Sequence, residues 1–163
     1  MTYLVRKITM SKWSVSDEPG PVNADAITHC LKTSGNTLSF WRVDSPADVA
    51  QGVLAIAAAN DRLDTIDIVV IDESQFLEKG IEIRQTPGQT VCSDLVDTHR
   101  DLAQLNITHL GFVSDAIADQ IRQGKTERFT LTKLRVIILD ALKSGRLSYE
   151  LLSEGIQKKI PHP

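Results

Sequence analysis

The densest run of reactive side chains is Cys92-Ser93-Asp94-Leu95-Val96-Asp97-Thr98-His99-Arg100-Asp101. A thiol, an imidazole and three carboxylates within ten residues are the raw material of nucleophilic or metal chemistry. The spacing fits neither. It matches no His-Glu-x-x-His or Cys-x-x-Cys zinc pattern. Read as a helix over 93–105, it places Cys92 and His99 about 10 Å apart along the axis, too far for a nucleophile and its base. His99 shares the apolar stripe of Leu95 and Leu102, so a buried structural histidine is expected. The acidic residues suit a helix's first turn through the macrodipole.

Two other patterns could hold a cation. Ile68-Val69-Val70-Ile71-Asp72-Glu73 has the apolar strand and acidic pair of nucleotide hydrolases. The phosphate-cradling Gly-x-x-x-x-Gly-Lys-Ser/Thr loop that such enzymes need does not occur. Asp72 with Glu82-Ile83-Arg84 approaches the carboxylate set of metal-dependent nucleases, in which two acids share Mg²⁺. Arg84 is a poor substitute for the lysine base, because a guanidinium stays protonated. A nuclease using Asp72 and Glu82 is therefore an alternative reading, not the leading one. No cofactor loop or metal cage is expected.

Charge points to binding. The 163 residues hold 18 Lys and Arg against 21 Asp and Glu, a net of −3. Residues 1–90 hold 8 Lys and Arg against 12 Asp and Glu, a net of −4, and residues 91–163 hold 10 against 9, a net of +1. Seven cations, Arg122, Lys125, Arg128, Lys133, Arg135, Lys143 and Arg146, fall within one stretch that holds only Glu127 and Asp140 as counter-charges. An acidic half against a basic segment offers two faces for partners. Arg122, Lys125, Arg128 and Arg146 are expected on one exposed face, docking an acidic protein surface or a phosphate. Trp13, in a polar loop beside Lys12, either packs over a sheet or anchors a partner. A helix-turn-helix over the last helices, turning at Ser144-Gly145-Arg146, would make the basic segment a nucleic-acid module. Glu150 and Glu154 oppose that, since they would face phosphates.

These residues need elements to place them. Tyr3–Met10 and Thr37–Val43 read as strands by their β-branched and aromatic content. Asn23 is a candidate cap for a helix to about Thr33. Ser45, Pro46 and Asp48 mark the start of a helix reaching Ala59, by the N-cap and Pro-at-N1 signals. Ile66–Ile71 is almost continuously apolar, as in a strand covered on both faces. Strand, helix and buried strand make a βαβ unit with a parallel pair. Ile81–Gln85 alternates like an edge strand. After Gly88 the period becomes helical, over 93–105, 108–123, 130–143 and 148–159. Thr130 caps the third helix and Gly145 stops it. That helix is apolar almost all round, which marks it as central.

The expected protein is α/β, with α+β as the other possibility. A small mixed sheet with a βαβ unit over 1–90 is backed by a four-helix half over 91–163, in one compact unit without a flexible linker. Hydrophobic residues make up 42% and no apolar run nears a bilayer span, so neither disorder nor a membrane span is expected. Two cysteines make no disulfide framework. With no leader-like apolar segment, the reading is cytoplasmic. The opening Tyr3-Leu4-Val5-Arg6-Lys7-Ile8 with Lys12-Trp13 resembles small bacterial reading frames. The expected function is a non-catalytic protein-binding subunit: an accessory subunit, immunity protein or adaptor of a bacterial multi-protein system. Its partner is expected to be a larger protein, with nucleic acid possible through the basic segment.

Overall fold

The computed structural model describes residues 1–162. The chain runs β1 (Tyr3–Ile8), α1 (Ala24–Cys30), β2 (Leu38–Val43), α2 (Val49–Ala58), β3 (Ile66–Asp72), α3 (Ser74–Leu77) and β4 (Glu82–Gln85). It continues through β5 (His99–Ala103), α4 (Ile107–Arg122), β6 (Thr126–Phe129), α5 (Leu131–Lys143) and α6 (Glu154–Gln157). The fold is mixed α/β. Six strands form one sheet in the order β4-β5-β2-β1-β3-β6, and helices cover both faces.

Alternation along the strands sends side chains to two cores. On one face Val5, Trp41, Val43, Ile66, Ile68 and Phe129 meet α2, α5 and α6. On the other, Leu4, Ile8, Leu38, Phe40, Val69, Ile71 and Leu102 meet α1, α3 and α4. The run Ile66–Ile71 is thus covered on both sides, as its composition predicts. Gly52 lets α2 settle onto β1: a Cβ there would stand 3.0 Å from the Cβ of Val5.

The expected parallel pair does not form. Every strand pairing is antiparallel. Strands β2 and β3 run the same way, but β1 lies between them and pairs with both. The strand–helix–strand order is correct, and the adjacency is not. A neighbour already supplied by the preceding chain took the place of the crossover partner.

The four-helix reading of 91–163 also needs correction. Residues 93–105 do not form a helix: a 3₁₀ turn over Ser93–Thr98 leads into β5. Strand β6 fills the gap between the next two helices. The 148–159 segment breaks into a 3₁₀ turn (Tyr149–Leu151) and short α6, with Leu152 and Ser153 extended between them. Gln157 pins that break by donating to the carbonyls of Tyr149 and Leu152, both at 3.0 Å. No helix-turn-helix results. Because β5 lies between β4 and β2, the two halves share one sheet.

Helix α5 has the expected bounds: Thr130 accepts from the Lys133 N–H, and Gly145 takes φ +73° just past the end. It is not central. Leu134, Ile138 and Ala141 are buried, whereas Val136 is 53% exposed, so the helix is a covering layer. Ile138 and Val69 are fully buried, on opposite sides of the sheet. Truncating Ile138 to alanine is expected to lower unfolding stability by about 2–4 kcal/mol in urea denaturation. A loss below about 0.5 kcal/mol, the scale of a surface change, would mean that α5 is not anchored through this residue.

Candidate functional site

Strand β5 alternates, so His99, Asp101 and Ala103 face one way and Arg100 and Leu102 the other. His99 and Asp101 open into a cleft of about 510 Å³ between β2, the end of α2 and the 86–91 loop. Register sets Ser39 opposite Asp101 and Trp41 opposite His99. The loop can lie on this pair only because residue 88 is glycine. A Cβ there would overlap the Trp41 ring and stand 2.8 Å from the His99 Cβ.

A hydrogen-bond chain runs through the cleft. The Thr86 hydroxyl donates to Asp101 Oδ2 at 2.8 Å and lies 2.8 Å from His99 Nδ1. A hydroxyl has one proton, so with Asp101 ionised Nδ1 carries its own and donates to Thr86. Ser39 Oγ donates to Asp101 Oδ1 at 3.1 Å. The Trp41 ring meets the imidazole edge-on at 5.1 Å. His99 is therefore an oriented group, buried as its sequence stripe suggested but on a strand. Both nearby hydroxyls give their protons to Asp101, so neither is activated by the imidazole as a nucleophile would be.

Burial, first, holds the His99 pKa below its ordinary 6.5, and Arg100 adds to this; Asp101 and Thr86 oppose it. The unfolded chain then takes up a proton near pH 6.5 that the native state resists. Stability from this group is full above that pH and is lost as pH falls through 6.5 toward the lowered native value. Denaturation at pH 7.5 and 5.5 should show this loss, and His99→Asn should reduce it. An unchanged pH slope in the variant would mean that His99 titrates alike in both states.

The residues predicted from sequence do not assemble. Trp13 is 8% exposed and packs in the core of Ile8, Leu31 and Phe76, so it is not a surface anchor. Its loop is held down by Asn23, which donates to Lys12 O at 2.6 Å and accepts from the Ser14 N–H. The four cations do not share a face. Arg122, at the end of α4, bonds Asp119 and the carbonyl of Ser16. Arg128 on β6 forks onto Asp67 at 2.7 and 3.0 Å. Arg146 lies across the sheet from Arg122, held by Asp94 and Gln51. Lys125 lines a cleft with Asp72 and Glu127. The segment is basic in sequence, but its neighbours in space are acidic.

Asp72 and Glu82 cannot share a metal. They stand on β3 and β4, four strand spacings apart, about 19 Å at 4.8 Å each. Glu82 is held by Arg84 at 2.5 Å and by Gln104 at 2.6 Å. Asp72 accepts from the Ser74 N–H at 2.9 Å. Among the described residues no group of three or more His, Cys, Asp or Glu could hold a metal ion. Cys92 is buried, and burial chiefly pushes its thiol pKa up, away from thiolate chemistry.

One arginine pair escaped the sequence reading. Arg42 on β2 and Arg100 on β5 line two further clefts together. They are far apart in sequence, and only the β2–β5 register brings them side by side. The signal in the sequence was the alternation of His99-Arg100-Asp101-Leu102, which a helical reading of that run conceals.

Fold and site define a three-layer α/β protein with a cleft beside the edge strand β4. No family model matches the chain, and no curated protein or solved structure matches it. Among the described residues no helix is long and apolar enough to cross a membrane.

Proposed function

We propose that this chain is a non-catalytic protein-binding subunit, an accessory, immunity or adaptor component of a bacterial multi-protein system. The observation that carries the reading is the open edge of β4. This strand ends the sheet, and its outer backbone has no partner among the described residues. Glu82, Arg84 and Gln85 are exposed. Such an edge accepts an added strand, with main-chain bonds giving affinity and neighbouring clefts giving selection. Proteins guard edges with uncompensated charge. Here Glu82 and Arg84 neutralise each other. A cleft lined in part by Ile83 and Gln85 opens beside the strand.

The test is capture of partners from the native cell by the tagged full chain, compared with Ile83→Pro and Arg84→Pro. Neighbouring residues of a strand point their N–H groups to opposite sides, so one of these prolines blocks only the outer edge. The variant that keeps the parent melting profile is scored. We expect it to lose a partner that the parent retains. Equal capture by the parent and the folded variant, or no partner for the parent, would overturn the reading.

A further inference from the structure

We infer that Gln120 and the cleft it lines hold a free nucleobase or nucleoside, read through the hydrogen-bonding edge of the base. The site is independent of β4, which bounds the opposite side of the sheet. Strand β6 pairs with β3 only over Ile66–Val69, whereas β3 continues to Asp72. The chain reaches β6 from α4 through Gly124, at φ +64°, and the Lys125 N–H donates to the Gln120 carbonyl at 2.9 Å. Gln120 is thereby set beside the stretch of β3 that β6 leaves uncovered. A cleft of about 450 Å³ opens there, a size common to small-molecule sites.

His99, Ser114 and Gln120 are the buried polar side chains among the described residues. His99 meets Thr86, and Ser114 donates to the Gly111 carbonyl at 2.8 Å. Gln120 is 9% exposed, yet its amide has no hydrogen-bond partner among the described residues. A buried amide that bonds nothing is costly, and it calls for a reason. The fully enclosed, unbonded side-chain atoms of the described residues are Arg6 Nε, Trp13 Nε1 and Arg42 Nε. The Gln120 amide is not one of these. It keeps an opening, and the cleft it lines is that opening.

The chemistry of the amide selects the ligand. A carboxamide sets an acceptor oxygen beside N–H donors. A carboxylate offers it no donor, and an ammonium offers it no acceptor. A trans peptide group turns its N–H and C=O to opposite sides, so it can meet only one of the two. A nucleobase carries a donor and an acceptor side by side on a rigid edge, and glutamine pairs with both, as it does with adenine in DNA. A side-chain carboxamide shares that edge but has no flat face to bury. Here Tyr3, Val49 and Val70, all half-buried, give the cleft apolar surface for the face of a ring. Asp72 and Glu127 stand in the lining against one cation, Lys125, so nothing there favours a phosphate or a nucleic-acid backbone.

The test is a titration of the full chain with adenosine, inosine, cytidine and uridine in turn, followed by amide NMR shifts. At least one nucleoside should give saturable shifts that include Gln120 and Val70. Methylating the donor nitrogen of that base should weaken binding roughly tenfold or more, because a site built for a hydrogen bond rejects an analogue without it. Gln120→Met keeps the length and bulk of the side chain and should weaken binding to a similar degree. The same variant should not lower the melting temperature, since it removes a buried amide that bonds nothing within the fold. Gln123→Met, a nearby exposed change, should leave affinity unchanged. No saturation by any nucleoside up to about 10 mM, tenfold beyond a millimolar Kd, would overturn the proposal. Equal affinity for the methylated base, or equal affinity in Gln120→Met, would overturn it too. So would binding of oligouridylate but of no nucleoside, since the backbone and not the base edge would then carry the affinity. Should Gln120→Met melt earlier or fail to fold, the methylated base alone decides.

Discussion

Phe40→Ala is expected to lower unfolding stability by about 3–5 kcal/mol, the usual range for removing a buried aromatic ring. Phe40 is fully buried in the core beneath α1, α3 and α4. Its ring lies 5.7 Å from that of Phe76 and 5.4 Å beneath the Arg6 guanidinium. Arg6 donates to the carbonyls of Ser39 and Cys30, at 2.5 and 2.6 Å, and burial lowers its pKa to about 10. Removing the ring opens a cavity and strips a half-buried cation of its aromatic contact. Against a typical total of about 5–15 kcal/mol, such a loss unfolds much of the population at modest denaturant. Urea denaturation with an unchanged m-value checks it. A cost below about 1 kcal/mol would show that the surrounding side chains collapse into the space.

Gly155→Ala should be almost as damaging, for the opposite reason. The added methyl would overlap the backbone carbonyl of Asp61 and come within 3.2 Å of the Arg62 Cβ. Gly155 bridges to Arg62 just where Ser153 donates to the carbonyls of Asn60 and Asp61. A backbone atom cannot rotate aside as a side chain can, so the segment must lift. Overpacking costs about 1–3 kcal/mol, and this contact belongs at the upper end. Ile156 and Ile160, both buried, would lift with it. Hydrogen exchange should show amides after Leu152 losing protection while β1 and β3 keep theirs. Uniform protection would mean that the turn at Asp61 yields instead.

The elements that declared themselves in the sequence combined a strong period with punctuation. Strand β3 was legible as an apolar run, β4 as an alternating edge, and α5 by Thr130 and Gly145. Strands β5 and β6 were hidden because they are short and each carries two charges on adjacent residues, Arg100-Asp101 and Glu127-Arg128. His99-Arg100-Asp101 offers no β-branched side chain, and the acids before it imitate a helix's first turn. That one misreading concealed both the His99–Thr86–Asp101 chain and the Arg42–Arg100 pair. Trp13 was ambiguous in a loop without period, because the core that buries it is assembled from residues distant in sequence. The basic 122–146 segment misled for another reason. Local net charge says nothing of carboxylates such as Asp67 and Asp94 that arrive from distant positions.

The place of β5 between β4 and β2 also sets an order of events during synthesis. Strand β2 leaves the ribosome well before its outer neighbour exists. Translation at about 5–20 residues per second takes several seconds to pass from Val43 to His99. Through that interval Leu38, Phe40, Trp41 and Val43 belong to a strand with one rim bare, and β4 waits without its place in the sheet. The half-made chain is thus more adhesive than the finished one.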